Sequence, residues 1–197
     1  VFDLRLRKGN SDKHEYLAQF GFNGFELGAE GPVNINDQSS FLANYRYSTL
    51  EMLDRMGLQI GVPSIPQYQD LNFNIEIPTQ KAGKFALFGL AGSNSIKDDQ
   101  YDPMTQNLEY FKSTCKSGFA GFNHLFFFNP DASLSTSAGF AFVSNKSYFD
   151  NRIRDSILDY SGLENKKSSA QVLVEFKNRL NSKNFIKIGV DYYHSDV

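Results

Sequence analysis

The chain has 197 residues, a formal net charge of −2 and a hydrophobic fraction of 41%. This charge argues against a nucleic-acid-binding protein, and the one cysteine excludes an intrachain disulfide or a thiolate zinc cluster. No run reaches the roughly 18 apolar residues that a membrane-spanning helix needs. The composition leaves a soluble β protein or a β-barrel, because barrel strands do not raise the average hydropathy.

Hydrophobic residues recur at every second position in four long stretches of the sequence. The positions of one face are Leu71, Phe73, Ile75 and Ile77; Leu134, Thr136, Ala138, Phe140 and Phe142; Val172, Val174 and Phe176; and Ile186, Ile188, Val190 and Tyr192. A period of two predicts strands with one apolar and one polar face. In the last stretch, Lys187, Gly189 and Asp191 take the polar face.

The connections between these stretches alternate in length. Short, turn-like segments rich in Asn, Asp, Pro, Gly and Ser lie at 34–39, 78–83, 129–132 and 181–184. Long polar segments lie at 50–66, 97–107 and 149–166. This alternation predicts an up-and-down meander with all short turns at one end and all long loops at the other.

Three features favour a barrel over a soluble sandwich: the long loops at one end only, the length of the strands and the aromatic residues at their ends. Patterned stretches such as 133–148 and 167–180 run to roughly 14–16 residues, whereas strands average about 5–6 and ~9–11 cross a bilayer. Aromatic residues gather near the strand ends, as in interfacial girdles: Tyr45, Tyr47, Tyr68, Phe126, Phe127, Phe128, Tyr148, Phe149, Tyr192 and Tyr193. The predicted fold is all-β, a membrane-spanning antiparallel up-and-down β-barrel, with about nine strands in this chain.

Candidates for catalysis or metal binding are few. His14, His124 and His194 are far apart in the sequence and have no ligand spacing. Cys115 has no histidine nearby in the sequence, so a stray thiol explains it better than a catalytic nucleophile. We expect no catalytic residue, no metal ligand and no cofactor, and the ligand-binding residues stay unknown.

Two further segments each allow a structural and a functional interpretation. The polar residues Asp70, Asn72, Asn74 and Glu76 alternate along one stretch; they form either a hydrated wall or a wall that contacts a plug or a passing ligand. Residues 49–57 have the spacing of a short amphipathic helix ending at Gly57. This helix either packs within its loop or contributes to a binding surface.

The first 77 residues resemble TonB-dependent outer-membrane receptors. Residues 1–10, VFDLRLRKGN, resemble the end of the plug domain of that family, and residues 16–32, YLAQFGFNGFELGAEGP, resemble its first barrel hairpin. Residues 39–47, SSFLANYRY, and 67–74, QYQDLNFN, are similar to receptors of Bacteroidota. The resemblance implies that residues 1–9 end the plug and that residues 10–197 form the N-terminal part of the barrel. Its first hairpin would turn tightly at Gly24.

The resemblance also implies a function and a location. Such receptors lie in the bacterial outer membrane and take up a scarce ligand, such as a metal chelate, cofactor, glycan or peptide. They perform no covalent chemistry, so the chain is not expected to be an enzyme. The implied partners are outer-membrane lipid, TonB through a segment N-terminal to this sequence, and a surface lipoprotein or a larger membrane complex. Plugged transporters have about 22 strands, so we expect a piece of a longer receptor.

Three other functions stay open at this point. The first is a passive porin or a structural outer-membrane barrel within a larger assembly, which would lack a plug. The second is a soluble all-β binding module, which would be soluble without detergent. The third is an enzyme on a barrel, which the absence of any triad or dyad spacing disfavours.

Overall fold

A computed structural model describes residues 6–22, 24–35, 38–50, 57, 66–102, 107–153 and 156–196. Their architecture is all-β, as the sequence predicts: one sheet of nine antiparallel strands in chain order. The strands are β1 Glu15–Gly21, β2 Gly24–Pro32, β3 Ser40–Tyr47, β4 Gln67–Thr79, β5 Gly83–Asp102, β6 Asn107–Phe127, β7 Ala132–Ile153, β8 Ser156–Arg179 and β9 Phe185–Asp196. The sheet is open, since β1 and β9 do not pair with each other. No helix in the described ranges is long and apolar enough to cross a membrane.

The four predicted short turns are confirmed, and all of them lie at one end of the sheet. They connect β2 to β3, β4 to β5, β6 to β7 and β8 to β9. Two of them share one mechanism, in which an asparagine side chain closes the turn. Asn129 Oδ1 accepts from the N–H groups of Asp131 and Ala132 at 2.9 and 2.8 Å, and Asn181 Oδ1 accepts from Lys183 and Asn184 at 2.9 Å each.

The tight reversal predicted near Gly24 is also confirmed. Gly21 pairs with Gly24 and Phe20 pairs with Phe25, so the paired ends of β1 and β2 are only two residues apart in the sequence. Directly paired residues share a face, and the apolar residues therefore change from even to odd numbers across this turn. Gly24 has a φ of 155°, in the region that favours glycine.

Two of the predicted long loops are wrong. β5 and β6 continue through 97–102 and from 107, and β7 and β8 continue through most of 149–166. Only residues 103–106 and 154–155 separate these strand pairs. The hydrogen bonds between the strand backbones continue through these segments because they do not require an apolar face. The two-residue period of hydrophobic residues in the sequence is visible only where one face is apolar. The third predicted long loop, 50–66, and most of the predicted helix at 49–57 lie outside the described residues.

One face of the sheet is apolar across all nine strands. The register places the four patterned stretches on this same face. One row of paired residues is Phe41, Ile75, Leu87, Phe122, Ala138, Val172 and Tyr192. We call this surface the apolar band; it comprises the alternate positions within 16–20, 25–29, 41–47, 71–77, 85–91, 118–126, 134–142, 170–176 and 186–192. The intervening residues form the polar face.

No second layer covers the apolar band. Leu50 and Ala132 are the buried hydrophobic residues of the described part of the chain. By contrast, Phe20 and Val190 are each 71% exposed. The accessible surface is 14017 Å², whereas a compact monomer of this mass would have about 9,400 Å². The sheet is therefore a single layer whose apolar side lacks a partner within the described chain.

The aromatic residues predicted as girdles divide between the two faces. On the apolar band, Phe25 stacks on Tyr47 at one edge with ring centroids 5.6 Å apart. At the opposite edge Phe128 contacts Phe126 and Phe176, with centroids 4.9 and 6.2 Å away. The register puts Tyr68, Phe127, Phe149 and Tyr193 on the polar face instead. These four assignments were wrong because the sequence shows that strand ends are aromatic but not which way each residue points.

Candidate functional site on the polar face

The predicted polar stripe of β4 lies on the polar face, where it contacts the N-terminal segment. Asn74 is only 4% exposed, and its Nδ2 donates to the carbonyl of Arg7 at 3.0 Å and to Glu76 Oε1 at 3.3 Å. Asp70 accepts a forked pair of hydrogen bonds from Arg46 at 2.9 and 3.2 Å. Part of the stripe therefore binds a preceding segment of the same chain.

Residues 6–10, which we call the N-terminal segment, are held mainly by Glu30 of β2. Arg7 donates to both carboxylate oxygens of Glu30 at 2.7 Å, a bidentate geometry that adds specificity as well as strength. The backbone N–H of Asn10 also donates to Glu30, at 2.8 Å. The hydrogen bond with Glu30 raises the pKa of the Arg7 guanidinium.

Backbone packing adds to these polar contacts. A Cβ on Gly9 would collide with the carbonyl oxygen of Phe41, so only glycine lets the segment approach β3 this closely. Asn10 Nδ2 donates to Glu15 Oε2 at 3.0 Å, which ties the segment to the start of β1. The segment thus contacts β1, β2, β3 and β4.

Two open cavities lie beside the segment. One of about 510 Å³ is lined by Arg7, Arg46, Glu26 and Glu30, among others. A second, of about 280 Å³, lies between Leu6 and the pair Phe88 and Phe119. Both cavities are lined by hydrogen-bonding groups together with some apolar surface.

The candidate histidines and the cysteine are not brought together. His14 lies beside Gly31 and Phe41, and His194 contacts Asp196 at 3.2 Å. His124 Nε2 lies 2.7 Å from the carbonyl oxygen of Ala82, and its ring stacks on Phe85 with centroids 4.3 Å apart. Within the described ranges no three His, Cys, Asp or Glu side chains are grouped as a metal site. Cys115 is half-buried, and its cross-strand neighbours are Asn94 and Asn145 rather than a base.

The bond between Arg7 and Glu30 was not predicted from the sequence. The two residues are 23 positions apart, and neither interrupts a pattern. The only available signal was that Glu30 lies near the end of a strand whose alternate positions include Glu26, so an acidic polar face was readable. Nothing in the sequence indicated that Arg7 is the residue that binds to this acidic face.

Substitution of Glu30 by glutamine is expected to release the N-terminal segment. Glu30→Gln keeps the side-chain shape but removes the negative charge of the carboxylate to which both Arg7 and the backbone N–H of Asn10 donate hydrogen bonds. A spin label at Lys8→Cys, in a Cys115→Ser background, should become markedly more mobile in its electron paramagnetic resonance spectrum. Glu26→Gln is the matched control, because Glu26 is on the same strand and face but accepts a hydrogen bond from Asn44 at 2.6 Å. Identical label mobility in the two variants would contradict the role of Glu30.

Comparison of the chain with protein-family models, with curated proteins and with solved structures gave no match.

Proposed function

We propose that this chain forms part of the wall of an outer-membrane receptor of the TonB-dependent type. The protein would lie in the bacterial outer membrane and take up a scarce ligand, such as a metal chelate, cofactor, glycan or peptide, with energy delivered through TonB. Residues 1–9 would end the plug, and residues 10–197 would contribute the first strands of the barrel. It would perform no covalent chemistry.

The observation that carries this proposal is the apolar band. From Leu134 to Phe142 the band extends about 26 Å along β7. A strand tilt of about 40° reduces this to about 20 Å, near the roughly 25 Å apolar belt of outer-membrane barrels. A bilayer supplies the missing second layer, because lipid contacts the apolar side while the antiparallel ladder satisfies the backbone groups.

The N-terminal segment favours a plugged receptor over a passive porin. In a plugged barrel the chain enters the wall from the lumen, and the polar face is the lumenal side. Arg7 and Asn10 bind Glu30 on that face, as a plug-to-barrel connection would require. A structural barrel without a plug gives no reason for this attachment.

Cysteine labelling on intact cells tests both membrane insertion and orientation. Asp99→Cys and Ser161→Cys, in a Cys115→Ser background of the whole protein, should react with a membrane-impermeant thiol reagent. Both positions are exposed and lie at the end opposite the short turns. Ser182→Cys is the control, because it lies in the turn between β8 and β9 and should stay unlabelled, as periplasmic turns are short.

Two outcomes would contradict the proposal. Labelling of Ser182→Cys together with protection of Ser161→Cys would reverse the orientation. A monodisperse folded monomer obtained without detergent would favour the soluble binding module, since the exposed apolar band and the two sheet edges should cause aggregation in water.

A further inference from the structure

Five lysines lie on the face of the apolar band, two to six residues beyond its edge at the end opposite the short turns. Lys97 pairs with Lys112, and Lys116 pairs with Ser144. Ser144 in turn pairs with Lys166, and the adjacent row contains Lys146 paired with Glu164. We call Lys97, Lys112, Lys116, Lys146 and Lys166 the lysine patch. It covers four neighbouring strands, β5 to β8.

The rows of the patch carry more positive than negative charge, and Asp99 and Asp150 lie in the next row outward on the same face. Glu164 is the acidic residue among these rows, and it binds Lys146 at 3.0 Å and Lys166 at 2.6 Å. In the described part of the chain, Lys97, Lys112 and Lys116 have no acidic partner. Lys97 and Lys112 lie directly opposite each other, an arrangement of like charges that destabilises a sheet. A bound anion would relieve this repulsion.

Hydroxyl groups lie between the lysines on the same face. Ser93 and Ser144 both pair with Lys116, and Ser95 pairs with Thr114. Hydroxyls donate hydrogen bonds while ammonium groups supply charge, and phosphate oxygens accept from both. The chemistry of the patch therefore suits phosphate groups.

The opposite edge of the band has no such patch in the described chain. There the corresponding positions on the same face are Thr79, Gly83, Phe128, Ala132 and Asn178, none of which is charged. Lys81 and Lys183 near this edge belong to the turns. The difference between the two edges indicates an environment that is anionic on one side.

We propose that the lysine patch binds the phosphates of anionic lipid headgroups in the leaflet at that edge of the band. The inference rests on the proposed membrane function, because the apolar band sets the depth of the patch. Lys116 is two residues beyond Gly118 of the band, about 7 Å along the strand, which is headgroup level. Lys97 and Lys112 are six residues beyond the band, about 20 Å along the strand, so their stems must reach back toward the headgroups. Lysine stems extend along apolar surface while their ammonium groups reach the headgroups.

Native mass spectrometry of the whole protein in neutral detergent tests the proposal. It would measure dissociation constants for phosphatidylglycerol and for phosphatidylcholine. The variant is the triple substitution Lys97→Gln, Lys112→Gln and Lys116→Gln. Each lysine near an anionic lipid surface raises affinity about fivefold, so phosphatidylglycerol should bind at least about tenfold more weakly and phosphatidylcholine unchanged.

A control with the same charge change separates the patch from general electrostatics. Lys84→Gln, Lys167→Gln and Lys183→Gln together remove three charges, the first two from the polar face and the third from a turn. This control should bind phosphatidylglycerol like the unsubstituted protein. Equal weakening in both triple variants, or no weakening in the first, would overturn the proposal. Displacement of the lipid by millimolar inorganic phosphate would show a site for free phosphate and would also overturn it.

Insertion is measured separately by flotation with phosphatidylcholine vesicles. Failure of the unsubstituted protein to insert would refute the proposed membrane function, and this inference with it. Insertion without any preference for phosphatidylglycerol would refute the lipid site alone.

Discussion

Replacement of Val190 by lysine is expected to lower the free energy of unfolding in a bilayer by about 2–4 kcal/mol. Val190 pairs with Val174 inside the apolar band on β9, and its side chain is 71% exposed. In the proposed function that exposed surface contacts lipid, where an ammonium group loses its hydration. Urea unfolding of the whole protein in phosphatidylcholine vesicles would measure the change.

Gly189→Lys is the matched control for this prediction. Gly189 pairs with Glu175 on the polar face, and an added Cβ there would first meet the carbonyl oxygen of Val174 at 3.3 Å. A lysine at this position points toward water and toward an acidic neighbour, so we expect a much smaller loss. Equal losses at Val190 and Gly189 would contradict the assignment of the two faces.

Gly83→Ala is expected to destabilise the fold by about 2–3 kcal/mol. Gly83 has a φ of 85°, which disfavours any residue with a Cβ. The added Cβ would also collide with the backbone carbonyl of Leu125, which cannot move away as a side chain would. The turn before Gly83 depends on this geometry, since the Thr79 hydroxyl donates to the carbonyl of Gly83 at 2.7 Å.

Gly92→Ala tests whether this loss is specific to the turn. Gly92 lies within β5, where an added Cβ would be 3.4 Å from the carbonyl oxygen of Gln69, an ordinary van der Waals contact. We expect the free energy of unfolding of this variant to stay within about 0.5 kcal/mol of that of the unsubstituted protein. A loss as large as that of Gly83→Ala would mean that strand glycines, not the turn, limit stability.

The strand pattern was predictable where one face is apolar and hidden where both faces are polar. Leu134 to Phe142 and Ile186 to Tyr192 alternate clearly, and the register puts both on one face. Beyond residue 148, where the patterned stretch ends, the same strand continues to Ile153, but residues 149–153 give no period. Hydrogen bonding between backbones extends these strands, and sequence periodicity does not report it.

The contacts of the polar face were beyond prediction for a related reason. Period two places Asn74 and Glu76 on that face, but a pattern cannot say which segment covers them. The bonds of Arg7 to Glu30 and to Asn74 join parts of the chain that only the folded register brings together. Such pairings depend on the three-dimensional path of the N-terminal segment.

The unequal lengths of the strands give the wall a sloping rim. At β2 the apolar band begins at Phe25, directly next to the tight turn at Gly24. By contrast, β7 continues 11 residues past Phe142 to Ile153, about 36 Å along the strand. In the proposed receptor, the extensions of β5 to β8 would project beyond the membrane surface and would block the sideways approach of a large ligand along those four strands.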